Sequence, residues 1–262
     1  FKMVDLYYFS KGYDMRRDMI PDETETLDSI RDIKIIQKKR GYRFSVDALL
    51  LFSFIGIRRC TKIADFGAGS GIISVLLSKR YPESKVYAVE LQKDLAGLAI
   101  KNVALNGRED RVEVIMEDIR KLPQVFKENY FDLIVSNPPF RKPKTGLLSP
   151  EEEKAIARHE IKITIDDILR VGGLILKDKG RLDLIYHPVR LVELFARMKK
   201  YQLEPKRLRF IHSREGAEAK MVLVEGVKGG RGGLRVERPL YIYDGDGGYT
   251  EEMNEIYGIN KK

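Results

Sequence analysis

The chain has 262 residues, room for one large domain or for one domain with a small companion. Hydrophobic residues make up 43% and charged residues 33%, which supports a packed core and excludes wholesale disorder. Forty-eight Lys and Arg against 39 Asp and Glu leave a net charge of +9, favouring a polyanionic partner, and the single cysteine, Cys60, excludes an internal disulfide framework.

The residues before Pro21 show no charged, apolar and small-residue leader pattern and carry no weight in the fold argument. Residues 32–37 and 41–44 flank a basic turn, Lys38-Lys39-Arg40-Gly41, and predict a hairpin. Residues 46–57 predict a helix with Ser45 as N-cap and Asp47 in its first turn. This longest apolar run is broken by Asp47, Ser53 and Gly56, and is too short for a bilayer, which needs about 20 apolar residues, so no membrane is expected.

From there strands alternate with helices. Lys62–Phe66 predicts a strand that runs into Gly67-Ala68-Gly69-Ser70-Gly71, and Ile72–Arg80 a helix. Residues 85–90 form the second predicted strand, Lys93–Leu105 a helix stopped by Asn106-Gly107, residues 112–116 the third strand and Phe131–Ser136 the fourth. A helix over 166–176 should end or kink at Gly172-Gly173. Residues 181–186 give a fifth strand, and Pro188 opens a helix to Lys200 with Val189, Val192, Phe195 and Met198 on one face. Leu203–His212 and residues 219–227 are two strands with only a loop between them. After Gly229-Gly230-Arg231-Gly232-Gly233 a further strand is expected over 234–243 and a short helix over 250–257.

Repeated strand–helix alternation implies an α/β fold, a mostly parallel Rossmann-like sheet covered on both faces, with one antiparallel edge strand from the final pair. The organisation expected is an N-terminal hairpin–helix segment (1–58), an α/β domain (59–228) and a C-terminal extension (229–262). His159, His187 and His212 lie far apart without partners at ligand spacing, so no metal is expected. One unpaired cysteine fits a reducing cytosol, and a cytoplasmic location is expected.

The glycine loop between strand and helix lets backbone approach a ligand closely. It reads Asp65-x-Gly67-x-Gly69-x-Gly71, whereas a dinucleotide loop places its third glycine one residue later. The shorter form suits a compact nucleoside with an amino-acid tail better than a pyrophosphate. Glu90, about 20 residues on, ends the second strand where an acid typically accepts both ribose hydroxyls. Asp118 follows the third strand and can accept from an adenine amino group while Ile119 packs on the ring. Three acids at the C-terminal ends of three successive strands line the edge where open α/β sheets bind ligands, and the pattern points to S-adenosylmethionine.

After the fourth strand comes Asn137-Pro138-Pro139-Phe140. The prolines stiffen the backbone and leave the Pro138 carbonyl free, and the Asn137 side-chain oxygen is a second acceptor. Two fixed acceptors can hold both hydrogens of a planar amino group and turn its lone pair toward an incoming methyl, with Phe140 as a stacking face. Catalysis would then rest on orientation.

Several stretches resemble one family. These are Gly41-Tyr42-Arg43-Phe44-Ser45-Val46-Asp47-Ala48-Leu49-Leu50-Leu51, Ala157-Arg158-His159-Glu160, Leu203-Glu204-Pro205-Lys206-Arg207-Leu208-Arg209-Phe210 and Tyr249-Thr250-Glu251-Glu252. Together with the glycine loop and the Asn-Pro-Pro-Phe turn they resemble the bacterial tRNA (adenine-N6)-methyltransferases. Those are class I S-adenosylmethionine-dependent enzymes acting on adenine 37, beside the anticodon, of a valine tRNA. The resemblance runs from about Thr26 to Gly258 and implies a seven-stranded sheet in the order 3-2-1-4-5-7-6. It implies that Phe44 and Asp47 cover the methionine end of the cofactor, and that Asp65, Gly67, Gly69 and Gly71 form its loop. Glu90 and Leu91 would serve the ribose side, Asp118 and Ile119 the adenine, and Asn137, Pro138, Pro139 and Phe140 the target base, with Asn137 also beside the cofactor. The residues before Pro21 match nothing in the family, and His212-Ser213-Arg214-Glu215-Gly216 lacks a proline expected there.

Three basic clusters could hold RNA phosphates: Lys38, Lys39 and Arg40 with Arg43; Arg141, Lys142 and Lys144; and Lys199, Lys200, Arg207 and Arg209 with Lys206. Arg158 is a further candidate contact. The expected partner is the anticodon loop of a tRNA. The motifs leave open methylation of a protein glutamine amide, of guanine N2 in ribosomal RNA, or an RNA-binding module without catalysis, and they leave the oligomeric state open.

Overall fold

A computed structural model describes residues 20–39, 46–138 and 163–259. The chain opens with an antiparallel hairpin of β1 (Glu25–Ile30) and β2 (Ile33–Lys38), Ile30 lying opposite Ile33. The hairpin therefore forms one strand earlier than predicted, and the expected partner at 41–44 lies outside the described residues. The turn consists of Arg31 and Asp32, with Arg31 at φ 54°. Asp32 is its one common turn residue and no Gly, Asn or Pro accompanies it, so the turn signal in the sequence is weak.

Helix α1 (Val46–Phe54) stops three residues before the predicted end. Its last carbonyls are taken by side chains from elsewhere. Arg80 donates to Phe52 O and Ile55 O, Arg207 to Phe54 O, and Tyr81 to Ile57 O just beyond. Such caps satisfy groups that a helix end leaves unpaired.

The αβ alternation follows the expected spans closely in β3 (Lys62–Phe66), α2 (Ile72–Arg80), β4 (Lys85–Val89), α3 (Lys93–Leu105), β5 (Val112–Ile115) and β6 (Phe131–Ser136), with a short α4 (Leu122–Val125), not expected, between the last two. Next come α5 (Ile165–Ile175), β7 (Leu176–Tyr186), α6 (Leu191–Lys200), β8 (Leu203–His212) and β9 (Ala219–Lys228). The short strands β10 (Arg235–Val236) and β11 (Leu240–Tyr241) and helix α7 (Glu251–Tyr257) complete the order.

Helix α5 runs unbroken through Gly172-Gly173, against expectation. A Cβ on Gly172 would lie 2.7 Å from Leu182 Cδ1, and one on Gly173 2.5 Å from the Tyr201 carbonyl oxygen. The glycines serve close packing on the sheet and on the turn after α6, and do not end the helix. On α6, the predicted face is partly wrong. A 3-10 turn over Pro188–Arg190 shifts the helical phase, so Leu194 and Met198 are buried while Val189 and Val192 are exposed.

Among the described residues the main sheet has nine strands in the order β10-β8-β9-β7-β6-β3-β4-β5, with β11 also on β8. Counting β3 to β9 alone, the order is the expected 3-2-1-4-5-7-6. Two details differ: β10 and β11 extend the sheet beyond seven strands, and antiparallel β9 lies between β7 and β8, not at the edge. Apolar side chains pack on both faces. Leu49, Leu76, Ile63, Val135 and Met253 lie on the side of α1, α2 and α7, and Phe66, Phe131, Leu169, Leu184 and Met198 on the side of α4 to α6. No helix among the described residues is long and apolar enough to cross a membrane.

Candidate functional site

Strands β3 to β8 run in one direction and end at one edge of the sheet, where Gly67, Glu90, Asp118 and Asn137 lie. Gly67, Gly69 and Gly71 adopt φ of 74°, 57° and 80°, left-handed values that favour glycine. Gly67 N and Ala68 N both donate to Val89 O, at 2.9 and 3.0 Å, fastening the loop across the end of β4. Gly67 is exposed, and a Cβ added there would meet nothing within 4 Å. The loop thus leaves open space on its outer side, while a Cβ added to Gly71 would lie only 3.2 Å from Ala99 Cα.

Glu90 is buried directly after β4. Its carboxylate accepts from Gly69 N at 2.9 Å and from Gln92 N at 2.8 Å, tying the acidic position to the glycine loop. Leu91 beside it is half-buried. Asp65, at the end of β3, is 1% exposed and accepts from Ser74 Oγ at 2.7 Å. Burial pushes its carboxyl up to about 7, with Glu90 adding to the rise and Ser74 opposing it. Asp118 caps the 3-10 turn after β5 and takes a bidentate grip from Arg120, whose hydrogen bonds hold its carboxyl below the usual range. Ile119 is 2% exposed and packs in the core beside Leu122. Asp47 lies in the first turn of α1.

Strand register sets the remaining geometry. Phe66 on β3 pairs with Ser136 on β6, and Ser136 Oγ donates to Phe66 O at 3.0 Å. The next residues on the two strands, Gly67 and Asn137, therefore leave the sheet side by side. Asn137 is half-buried and Pro138 buried. Phe44, Pro139, Phe140, Arg40, Arg141, Lys142, Lys144 and Arg158 lie outside the described residues.

The basic clusters fare unequally. Arg207 pairs with Glu225 and Glu237, and Arg209 grips Glu252 through two bonds of 2.6 and 2.7 Å, so both charges are neutralised within the fold. Lys199 and Lys200 are exposed, near Glu204 and Asp166. They lie at the far end of α6, which leaves the site edge and descends along the sheet. Lys38 pairs with Glu25, and Lys39 is exposed.

Sequence reasoning missed Asn102. Fully buried on α3, it exchanges two hydrogen bonds with the Ile36 backbone (2.7 and 3.0 Å) and donates to Ser70 O at 2.8 Å. One turn later Asn106 does the same with the Lys34 backbone. The pair imitates a neighbouring strand, fixing the hairpin to α3 and to the glycine loop. An amide on the apolar face of a helix was the available signal.

The residues present fit a nucleoside cofactor with an amino-acid tail. The loop is open outward at Gly67, Glu90 stands behind it, and Ser70 Oγ is buried without a hydrogen-bond partner among the described residues. No group of His, Cys, Asp or Glu among the described residues could hold a metal ion.

Comparison with known proteins agrees with this geometry. Residues 44–187 match the family model described as methyltransferase small domain. The tRNA1(Val) (adenine(37)-N6)-methyltransferase of Porphyromonas gingivalis is 30% identical over 203 residues, 75% of this chain and 79% of that protein. The protein of the same name from Pedobacter heparinus is 31% identical over 224 residues, 84% and 92% of the two chains. Among solved structures, an Agrobacterium tumefaciens protein described as a predicted O-methyltransferase superposes with a TM-score of 0.65 at 24% identity, covering 82% of this chain and 98% of that one. TYW2 of M. jannaschii, solved in complex with AdoMet, gives 0.53 at 17% identity, over 79% and 87%. The structural likenesses speak for the fold alone; with the family match and the curated relatives, the chain belongs to the methyltransferase small domain family and, within it, groups with the tRNA (adenine-N6)-methyltransferases.

Proposed function

We propose that this chain transfers a methyl group from S-adenosylmethionine to N6 of an adenine in tRNA, at position 37 in the anticodon loop. The observation that carries the reading is the Phe66–Ser136 pairing, which sets the Asn137-Pro138 corner directly beside Gly67. S-adenosylmethionine supplies an electrophilic methyl on a sulfonium. The protein's part is to hold and aim. Gly67, Gly69, Gly71, Glu90, Leu91, Asp65, Asp118 and Ile119, with Phe44 and Asp47, form the cofactor side in this reading. Asn137 Oδ1 and the Pro138 carbonyl accept the two N–H bonds of the exocyclic amine, which directs its lone pair out of the acceptor plane. Once N6 is methylated its positive charge makes the extra proton strongly acidic, so release to water suffices. Pro139 and Phe140 would complete the pocket.

Phosphate contacts are assigned to Lys38, Lys39, Arg40, Arg141, Lys142, Lys144 and Arg158. Lys199 and Lys200 are more distant contributors. Arg207 and Arg209 act within the fold.

The test is methyl transfer from labelled cofactor to tRNA by the wild type and by Asn137→Ala. We expect the variant to lose at least about 100-fold in turnover while cofactor affinity by calorimetry stays within about twofold. Wild-type turnover in the variant would remove Asn137 from the chemistry. Label in protein or in ribosomal RNA, but not in tRNA, would replace the substrate.

A further inference from the structure

Residues 240–257 build an aromatic stack that the reaction itself does not use. The rings of Tyr243 and Tyr249 are stacked, with centroids 5.5 Å apart and planes 14° apart. Tyr249 continues onto Tyr257 at 5.0 Å and 17°. A tight turn holds the first two side by side: Tyr243 bridges Tyr249, Asp244 N donates to Gly248 O, and Asp244 Oδ1 accepts from Asp246 N and Gly248 N. Tyr243 N donates to Ser213 O, which fixes the outer ring to the loop between β8 and β9.

The stack has a buried end and an open end. Tyr257 packs against the core on the α1 side, and burial, then its hydrogen bond with the Tyr249 hydroxyl, push its phenol up. Tyr243 is 38% exposed. Because β11 runs parallel to β8 with Tyr241 opposite His212, Tyr243 emerges at the same sheet edge as Gly67 and Asn137. Four strand spacings separate β11 from β6, which is about 19 Å.

We propose that Tyr243 is a stacking platform for an unpaired base of the RNA substrate other than the adenine that is methylated. The inference rests on the tRNA reading above. A pre-stacked ring loses little freedom on binding, and any base offers a flat face to it. The turn beside the ring carries Asp244 and Asp246, so the surface favours a base face over a phosphate. Arg214, Glu215 and Glu218 on the adjoining β8–β9 connection, and Lys220 in β9, are all exposed, so the surface beside the ring is of mixed sign and does not by itself hold a phosphate chain.

The experiment uses the full chain, saturated with S-adenosylhomocysteine, and a stem-loop RNA carrying the valine anticodon loop. Anisotropy should show Tyr243→Ala binding this RNA about 5- to 150-fold more weakly than wild type, the range expected for loss of one base–aromatic stack. Tyr243→Phe should bind within about twofold of wild type. The salt dependence of binding should keep its slope, since no phosphate contact is lost. With 2-aminopurine placed at each unpaired position in turn, one position should be quenched by wild type and by Tyr243→Phe and released by Tyr243→Ala. Equal affinity of wild type and Tyr243→Ala, in a protein that still methylates the tRNA, overturns the platform and leaves the activity standing. A wild type that neither binds nor methylates tRNA overturns the substrate reading, and the platform with it. Cofactor affinity unchanged in Tyr243→Ala separates a lost base contact from a damaged fold.

Discussion

Asp65 shows how far one side chain's behaviour departs from its type. Its carboxyl ordinarily loses its proton near 3.8, but in the folded protein burial raises that value to about 7. Between those two values the folded state binds more protons than the unfolded state, so stability falls as pH rises from about 4 to about 7. Asp65→Asn removes this effect. In cofactor-free protein, denaturant unfolding should show variant and wild type nearly equal at pH 4, with the variant more stable by about 2–4 kcal/mol at pH 8. A constant difference across that range would contradict the assignment. Asp183 belongs to the same row across the sheet: Asp65, Val135, Asp183, Glu225 and Arg207 pair in succession from β3 to β8. It is fully buried with neither oxygen hydrogen-bonded among the described residues, and burial, then Glu225, push its carboxyl well up. Nothing in the pattern Leu182-Asp183-Leu184 announces a buried acid; alternation alone predicts an outward one. The glycine loop was legible because its left-handed backbone depends on residue type and spacing. Asp183 depends on which strand lies alongside.

Among the elements, the hairpin carries the clearest consequence. β2 makes its outer hydrogen bonds to Asn102 and Asn106 instead of to a strand. Asn102→Ala leaves Ile36 N, Ile36 O and Ser70 O unpaired in a buried setting. We expect a loss of about 3 kcal/mol or more in unfolding free energy. Hydrogen exchange should speed up at Ile36, and cofactor affinity should fall because Ser70 sits in the glycine loop. Unaltered exchange at Ile36 would mean the hairpin is held by its apolar side chains alone. Most βα units were readable from period and breakers, since Lys62–Phe66, Ile72–Arg80 and Lys93–Leu105 combine regular apolar spacing with clear stops. The misreadings share a cause. The Arg31-Asp32 turn, the uninterrupted α5 and the rotated face of α6 are each set by tertiary packing or by a 3-10 turn, which local composition does not encode.

At the scale of the molecule, the segment after Lys228 is part of the core. Leu240, Ile242, Met253 and Ile256 are buried in the same cluster as Leu50, Ile63 and Leu76. Each such side chain stabilises the fold by about 1.5–3 kcal/mol, so the four together rival the whole stability of a typical domain, about 5–15 kcal/mol. Deletion of residues 229–262 should therefore abolish cooperative thermal unfolding by calorimetry. A truncated chain that melts sharply near the full-length temperature would show that the remainder folds alone. Arg31, in the hairpin turn, donates to the carbonyls of Glu255 and Ile256 at the end of α7, so early and late parts of the sequence close on each other. During synthesis, then, the aliphatic underside of α1 stays uncovered until α7 has emerged from the ribosome. Helix α7 thus works as a latch, since its burial closes the apolar face of α1 and its C-terminal carbonyls hold the hairpin turn through Arg31.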